Sequence, residues 1–266
     1  MRISTCSERP LITPCGLERF DHQLDIYIGC GHYCYYCYVL REAETDWRQE
    51  VQIHHDLEGQ LALELREINP QPIYMGYHSD PYQPCEAELE QTRAALKMLQ
   101  TKGFSAGILT KSDLVLRDLD ILAEMDNGSV SVSVAFKDDG IRRLFEENTI
   151  ETKRRIQALR KIKQTGIRTG ALLCPIIPYV TEVFDLLEDL SGCADTIWIY
   201  GLSTDSDEDQ DIGWKNTRQI LASHFPAVAD QVQAAVSSRN HLYWMQLKED
   251  IALFNRQRKL DLRVHV

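Results

Sequence analysis

Cys30-Gly-His-Tyr-Cys34-Tyr-Tyr-Cys37-Tyr38 sets three thiols within eight residues, spaced C-x3-C-x2-C. Thiolates are soft ligands, and a cluster this tight reads as a metal site before it reads as core. A structural zinc takes four protein ligands and a catalytic zinc three. Iron–sulfur clusters are also held by cysteine thiolates, and a [4Fe–4S] cluster on three cysteines keeps one iron open for chemistry. His32 lies inside the loop and is at hand as a fourth zinc ligand, so both readings stand at this point. The preceding Leu24-Asp-Ile-Tyr-Ile28 alternates like a strand, which puts the thiols on a loop after it.

Outward from the cysteines, strand and helix signals alternate. Residues 1–22 are polar, hold Pro10 and Pro14, and are expected to form an extended lead-in. Residues 39–52 fit either a helix or an extended loop. Asp56 is placed to cap a helix over 57–68, which Asn69-Pro70 ends. A second strand over 73–76 runs into His78-Ser-Asp-Pro-Tyr-Gln-Pro84, a loop by its two prolines. A helix is expected over 86–102, a third strand over 104–110 and a helix over 116–125. Residues 129–136 (S-V-S-V-S-V-A-F) alternate strictly and make the fourth strand. Helices over 140–147 and 151–165, a strand over 168–173, a helix over 181–190 and a strand over 196–202 follow. Strand-first alternation argues for a parallel sheet. The expected fold is α/β, a partial (β/α)6 TIM-like barrel with a C-terminal helical extension. Its parts are the lead-in 1–22, a core 23–205 and an extension 206–266. After the acidic loop 203–211, helical stretches are expected over 214–236 and 238–256, then a strand-like run over 260–266.

With 44% hydrophobic residues, the 266-residue chain can bury a sizeable core. No stretch reaches the length of a membrane span and no signal peptide opens the sequence, so a cytoplasmic protein without membrane contact is expected. In a reducing compartment the eight cysteines are not a disulfide framework. Cys6, Cys15, Cys85, Cys174 and Cys193 are scattered and read as small buried hydrophobes. A formal net charge of −11 disfavours sequence-independent attraction to a polyanion. Acidic residues concentrate over 205–211, so a local basic groove stays compatible with that mean.

Two further stretches sit where parallel α/β folds place ligands, at the carboxyl ends of strands. Ser79 and Asp80 are positioned to receive the amino group of a bound amino acid, or simply to make a turn with an Asx-type hydrogen bond. Lys111, ending the third strand, can meet a carboxylate or stand as a solvated lysine. Arg117, Asp118 and Asp120 read as a charge network at a helix start.

The cysteine loop, with Tyr36 in its aromatic slot, resembles the signature of radical S-adenosylmethionine (SAM) enzymes, C-x3-C-x-aromatic-C after the first strand of a partial barrel. Four further matches narrow the resemblance. They are Leu11-Ile-Thr-Pro with Phe20-Asp21, Ser79-Asp-Pro-Tyr-Gln-Pro84, Leu109-Thr-Lys-Ser with Leu116-Arg-Asp, and Pro175-Ile-Ile-Pro178. Together they are similar to the spore photoproduct lyase-related branch, often labelled DNA repair photolyase-like, over about seven-tenths of the chain. The resemblance implies that Cys30, Cys34 and Cys37 hold a [4Fe–4S] cluster and that S-adenosyl-L-methionine is the second cofactor. It implies Tyr36 near the adenine, Ser79 and Asp80 on the methionine part, Lys111 at its carboxylate, and Ser133 lining the cofactor site. Glu146, Thr149 and Arg155 match a Glu-x-x-Thr followed by Arg, and Arg155 is expected to pair bidentately with the SAM carboxylate. A reductase or a flavodoxin- or ferredoxin-type electron donor is implied as partner.

The departures bear on the substrate. In spore photoproduct lyases a cysteine precedes Thr-Ser-Asp and returns a hydrogen atom; here that position is Tyr77. The tyrosine of the same relay is present as Tyr38. Tyr77 is expected either to relay a radical or to line the pocket. Glu147 stands where the family usually has proline. The helix over 151–168 carries Lys153, Arg154, Arg160, Lys161 and Lys163, read as a solvated outer face. Trp214, Tyr243 and Trp244 fit either helix packing or a cover over the barrel mouth. The substrate classes left open are a nucleic acid, a small molecule and a peptide. The rival functions are a zinc-stabilised nucleic-acid-binding module and an iron–sulfur electron carrier without SAM chemistry.

Overall fold

Strands that each hand over to a returning segment before the next strand must pair in parallel. The computed structural model, which describes residues 1–7, 9–204 and 211–266, has this architecture. Its strands are β1 (Arg2–Thr5), β2 (Ile12–Pro14), β3 (His22–Leu24), β4 (Tyr27–Ile28), β5 (Glu50–Ile53), β6 (Pro72–Met75), β7 (Ser105–Thr110), β8 (Ser129–Ser133), β9 (Arg168–Ile176), β10 (Thr196–Gly201) and β11 (Leu262–His265). The main sheet runs β11-β10-β9-β8-β7-β6-β3-β2, parallel throughout except for β2 against β3. A small sheet, β1-β5-β4, stands beside it. The fold is a partial TIM-like barrel, as expected. Among the described residues no pairing joins the β2 and β11 ends of the sheet.

The alternation in β8 shows how the sheet divides its faces. Val130 and Val132 are fully buried on the outer side, Val132 in one cluster with Ile156 and Leu159 of the helix Thr152–Gln164. Ala171, Leu173, Ile197 and Ile199 continue that cluster toward Leu186, Trp244 and Ile251. The inner side carries Ser131 and Trp198, both close enough to Gly170 to leave no room for a Cβ there. Phe20 presses on Gly107 in the same way and lies 5.1 Å from the Tyr74 ring, while Arg19 sits 5.8 Å over Trp198. Residues 19–20 therefore fill part of the inner face.

Three local expectations are corrected here. The strand over 24–28 is divided between β3 and β4, which belong to different sheets. The division falls at Asp25, whose carboxylate accepts from the backbone and side chain of His78 and turns the chain out of the main sheet. The helix over 57–68 has Asp56 as its cap but ends at Glu64, whose carboxylate accepts from the backbone of Leu11 and Ile12. The helix over 86–102 is broken at Glu90, which has a left-handed φ of 49°. The buried Glu86 carboxylate reaches Thr92 N at 2.9 Å and so caps the second piece, Gln91–Thr101.

At the C-terminal end there are three helices rather than two, Ile212–His224, Ala229–Val236 and Leu242–Arg258. Pro226 interrupts the first expected stretch. The strand-like run expected over 260–266 is β11, which pairs with β10 in parallel and extends the main sheet. The lead-in likewise contributes β1 and β2 to the two sheets. The acidic loop and the boundary expected at 205 fall largely on 205–210, outside the described residues.

Candidate active site

The cysteine loop leaves β4 and winds tightly. Tyr33 N donates to Cys30 O at 3.1 Å and Cys37 N to Cys34 O at 3.0 Å. These turns gather the thiols into one electrostatic neighbourhood. Burial pushes the Cys34 thiol well up, and Cys30 and Cys37 add to the rise. Burial, then Asp80 and more weakly Cys37, push Cys30 up to about 12, and burial also raises Cys37. Such thiols stay neutral without a cation, whereas bound iron stabilises them as thiolates. Three neighbouring thiols, Cys34 buried and Cys30 and Cys37 half-buried, fit a cluster held by three cysteines. Among the described residues no three His, Cys, Asp or Glu side chains converge as a single metal ion would need. His32 is engaged elsewhere: Nδ1 lies 3.2 Å from Asn148 O and Nε2 3.3 Å from Asp80 Oδ2.

Beside Cys34 the ends of β7 and β8 bring together Lys111, Ser133, Tyr36, Glu146 and Arg155. Lys111 Nζ donates to Ser133 Oγ at 2.6 Å, lies 3.3 Å from Glu146 Oε1, and stands 5.7 Å from the Tyr36 ring centroid. The Tyr36 hydroxyl donates to Glu146. Arg155 is fully buried, with Nη2 2.5 Å from Glu146 Oε2 and Nη1 donating to Ser133 O at 3.0 Å. Burial opposes ionisation of Glu146, but Arg155 and then Lys111 outweigh it and hold the carboxyl well below its ordinary range. Two cations share one carboxylate, so the group keeps a surplus positive charge in a dry setting. Arg155 spends its guanidinium on Glu146, Thr149 and backbone carbonyls. A direct bidentate contact with SAM would require that network to open. Lys111 is the cation closer to the space beside Tyr36.

Ser79 and Asp80 lie on the other side of the cysteine loop. Asp80 Oδ1 accepts from Tyr82 N at 2.8 Å and Thr110 Oγ1 at 2.7 Å, and Oδ2 accepts from Lys111 N at 2.7 Å. Burial raises its pKa, yet His32 and these donors together hold the carboxyl below its usual value. Ser79 Oγ donates to Tyr27 O at 2.9 Å, leaving its oxygen lone pairs as acceptors. The Asx-type turn is therefore present, and it doubles as a link between the cysteine loop and β7.

Tyr38 and Tyr77 meet at the rim. The Tyr38 hydroxyl donates to Tyr77 O at 2.8 Å, and the two rings stand edge to face with centroids 6.3 Å apart. Tyr38 is half exposed, at 50%. Tyr77 continues to Tyr74 at 6.4 Å and to His78 at 5.0 Å. His78 was not singled out in the sequence, yet its Nδ1 lies 2.7 Å from Asp25 Oδ2. Cys174, read as a scattered hydrophobe, lies within electrostatic reach of Lys111, Cys37 and Glu146, and burial pushes its thiol up to about 11. Only its strand position, near the carboxyl end of β9, could have signalled that.

Other expectations fall away from the site. Lys153, Arg154, Arg160 and Lys161 are exposed on the outer helix, with Arg154 paired to Asp113 and Lys163 to Asp195. Arg117, Asp118 and Asp120 form a network with Arg93 and Glu86. Trp214 and Trp244 are buried packing residues, and Tyr243 packs on Trp244 and Tyr179.

The model of the radical SAM superfamily matches residues 24–190. The chain belongs to the radical SAM superfamily. Radical SAM proteins use a [4Fe–4S] cluster and SAM, and three thiols beside the Lys111–Glu146–Arg155 group suit both. An uncharacterized protein of Methanocaldococcus jannaschii is 30% identical over 176 residues, covering 65% of this chain and 66% of that one. One of Mycobacterium tuberculosis is 28% identical over 185 residues, covering 65% and 54% respectively. The match thus spans less than two thirds of these relatives' own length. In fold, the chain is similar to a spore photoproduct lyase variant with bound AdoMet and dinucleoside spore photoproduct, with a TM-score of 0.63 at 16% identity, over 98% of this chain and 80% of that one. It is also similar to Streptococcus suis SuiB bound to S-adenosylmethionine, with a TM-score of 0.55 at 13% identity, over 92% and 50%. Membership in the radical SAM superfamily favours the expected cluster over the rival zinc module. Among the described residues no helix is long and apolar enough to cross a membrane.

Proposed function

We propose that this chain is a cytoplasmic radical SAM enzyme that removes a hydrogen atom from a nucleobase-containing substrate at the rim formed by Tyr38 and Tyr77. The observation that carries the reading is the convergence of Tyr36, Lys111, Ser133 and Glu146 beside three coupled thiols at the carboxyl end of a parallel sheet. When bound, the reduced cluster supplies the electron that cleaves the SAM sulfonium to methionine and a 5′-deoxyadenosyl radical. Cys30, Cys34 and Cys37 hold the cluster. Lys111 offers its ammonium to the SAM carboxylate, oriented by Ser133 and Glu146, and Arg155 keeps Glu146 ionised. Tyr36 offers a ring face to the adenine, and Ser79 offers an acceptor to the amino group. Burial of these groups excludes water from the reacting centre. A flavodoxin- or ferredoxin-type protein or a reductase delivers the electron.

The likeness to a fold that holds a dinucleoside in spore photoproduct lyase supports a nucleobase, as do Trp198, Tyr200 and His265 near the strand ends, the last two stacked at 4.6 Å. A small-molecule or peptide substrate is the second reading, favoured by the net charge of −11 and by basic residues that sit on the outer wall. Tyr77 in place of the expected thiol separates the reaction from spore photoproduct repair as such. The test is anaerobic reconstitution, reduction with dithionite, addition of SAM and measurement of 5′-deoxyadenosine, with and without ultraviolet-damaged DNA. Product that is lost in Cys34→Ala is the expected outcome. A chain that binds no iron under these conditions, or a loaded cluster that never cleaves SAM with any substrate class, overturns the reading.

A further inference from the structure

Four residues of the loop 79–86 hold β4 and the cysteine loop. Ser79 holds Tyr27 O, and Glu86 accepts from the Tyr27 hydroxyl. Asp80 meets His32. Between these contacts lies Gln83, which is fully buried. Its Oε1 accepts from Gly31 N at 2.7 Å and its Nε2 donates to Gly29 O at 3.1 Å. Those two backbone groups flank Cys30. One carboxamide thus grips the chain on both sides of the first thiol, as a neighbouring strand would.

The geometry points to Gln83 as the positioning residue for Cys30, and through it for the cluster; this rests on the reading that Cys30, Cys34 and Cys37 hold the cluster. Only a planar group with a donor and an acceptor side by side can satisfy both backbone atoms. Gly31 is close-packed here: a Cβ on it would lie 3.4 Å from Gln83 Oε1 and 3.2 Å from Met1 Cε. Gly29 takes a φ of +86°, which favours glycine. The segment is therefore narrow and bare by composition, with no side chain of its own at 29 or 31 to fix it. Its conformation is set from outside, by Gln83. No further charge enters the site, because a carboxamide is neutral.

A carboxylic acid mimics the carboxamide only while protonated. Gln83→Glu should accept from Gly31 N and donate to Gly29 O at low pH, and then lose the donor and repel Gly29 O once ionised. Gln83→Met keeps the length and loses both bonds. The experiment compares these variants with the wild-type chain after anaerobic reconstitution. It records iron and sulfide per chain, the electron paramagnetic resonance spectrum of the reduced cluster, its midpoint potential, and the rate at which a chelator removes iron between pH 6 and pH 8.5. Thermal unfolding of the metal-free chains reports the fold.

Gln83→Met should lose iron about tenfold faster than wild type at every pH, as expected for a lost buried hydrogen bond. Full burial and the facing Gly29 O favour the protonated acid in Gln83→Glu, so this variant should approach wild type at the acid end, lose iron about tenfold faster at the alkaline end, and shift its spectrum and potential over the same range. Wild-type rates, spectra and potentials in both variants overturn the proposal. If metal-free Gln83→Met does not unfold cooperatively, the pH dependence of Gln83→Glu decides alone. A wild-type chain that binds no cluster overturns the underlying reading as well, whereas a loaded wild type with indifferent variants overturns this inference only.

Discussion

Lys111 shows how a single side chain can have its role set by its neighbours. Burial favours the neutral amine, but Glu146 and Cys34 reverse that and raise its pKa, so the ammonium persists. Its hydrogen bond to Ser133 aims it, and the Arg155–Glu146 pair prevents Glu146 from neutralising it fully. Lys111→Met should therefore weaken SAM binding about tenfold to a hundredfold, the range for one charge-assisted hydrogen bond, while iron content stays near wild type. Equilibrium binding of SAM to the reconstituted variant measures this. Arg155→Met should act on the fold instead. It would leave the buried Glu146 carboxylate with Lys111 as its one cation, at a cost of about 3 kcal/mol read from chemical denaturation.

His78 carries a pH prediction. Its hydrogen bond and charge contact with Asp25 raise the imidazole pKa above the usual value of 6.5, with burial opposing. A group raised in the folded state contributes stability fully below its unfolded pKa and loses it as pH climbs through the folded one. The side chain is 39% exposed, so screening keeps the effect small. The wild-type melting temperature should fall as pH rises above about 6.5 by a component that His78→Gln lacks. Parallel melting curves across that range would reject the assignment.

At the scale of elements, helix Ile212–His224 approaches the backbone of the cysteine loop closely. A Cβ on Gly213 would stand 2.9 Å from Cys37 O and 3.0 Å from the Tyr36 backbone. Asp211 caps this helix through Trp214 N, and Trp214 is buried behind it. The obstacle is backbone on both sides, so relief must come from moving the helix or the loop. Gly213→Ala should cost about 1–3 kcal/mol and accelerate iron loss, whereas Gly192→Ala, where a Cβ meets nothing within 4 Å and the left-handed φ of 78° alone opposes it, should cost stability but leave iron retention unchanged. Iron-release kinetics on the pair separates the two.

For the whole molecule, the parallel sheet ends on β11, which covers β10. Removing residues 260–266 would bare a β10 edge whose outer residues, Ile197 and Ile199, sit in the apolar cluster. An uncovered edge of that kind invites pairing between chains. The truncated chain should aggregate at lower temperature than the full chain, as light scattering during a thermal ramp would show. Equal onset temperatures would mean that β11 is dispensable to the sheet.

The cysteine spacing, the alternation in 129–136 and the strand-first order by themselves pointed to a thiolate metal site, a parallel sheet and the end of the sheet beside which the thiols lie. These are local signals: period two in a strand, thiols close in sequence, prolines after strand ends. Tertiary structure alone decided what each polar group does there. Arg155, a match for a carboxylate receptor, is enclosed with Glu146, and Ser79 and Asp80 bind backbone as well as facing the site. Gln83, His78 and Cys174 gained their places from contacts 52 to 54 residues away in the first two cases and from the packing of β9 in the third. Hydrogen bonds and charge pairs between distant segments depend on which strand ends meet, and no periodicity records that. The same reason explains the divided strand at 24–28 and the break at Glu90, where a distant partner or a buried carboxylate overrode a local pattern.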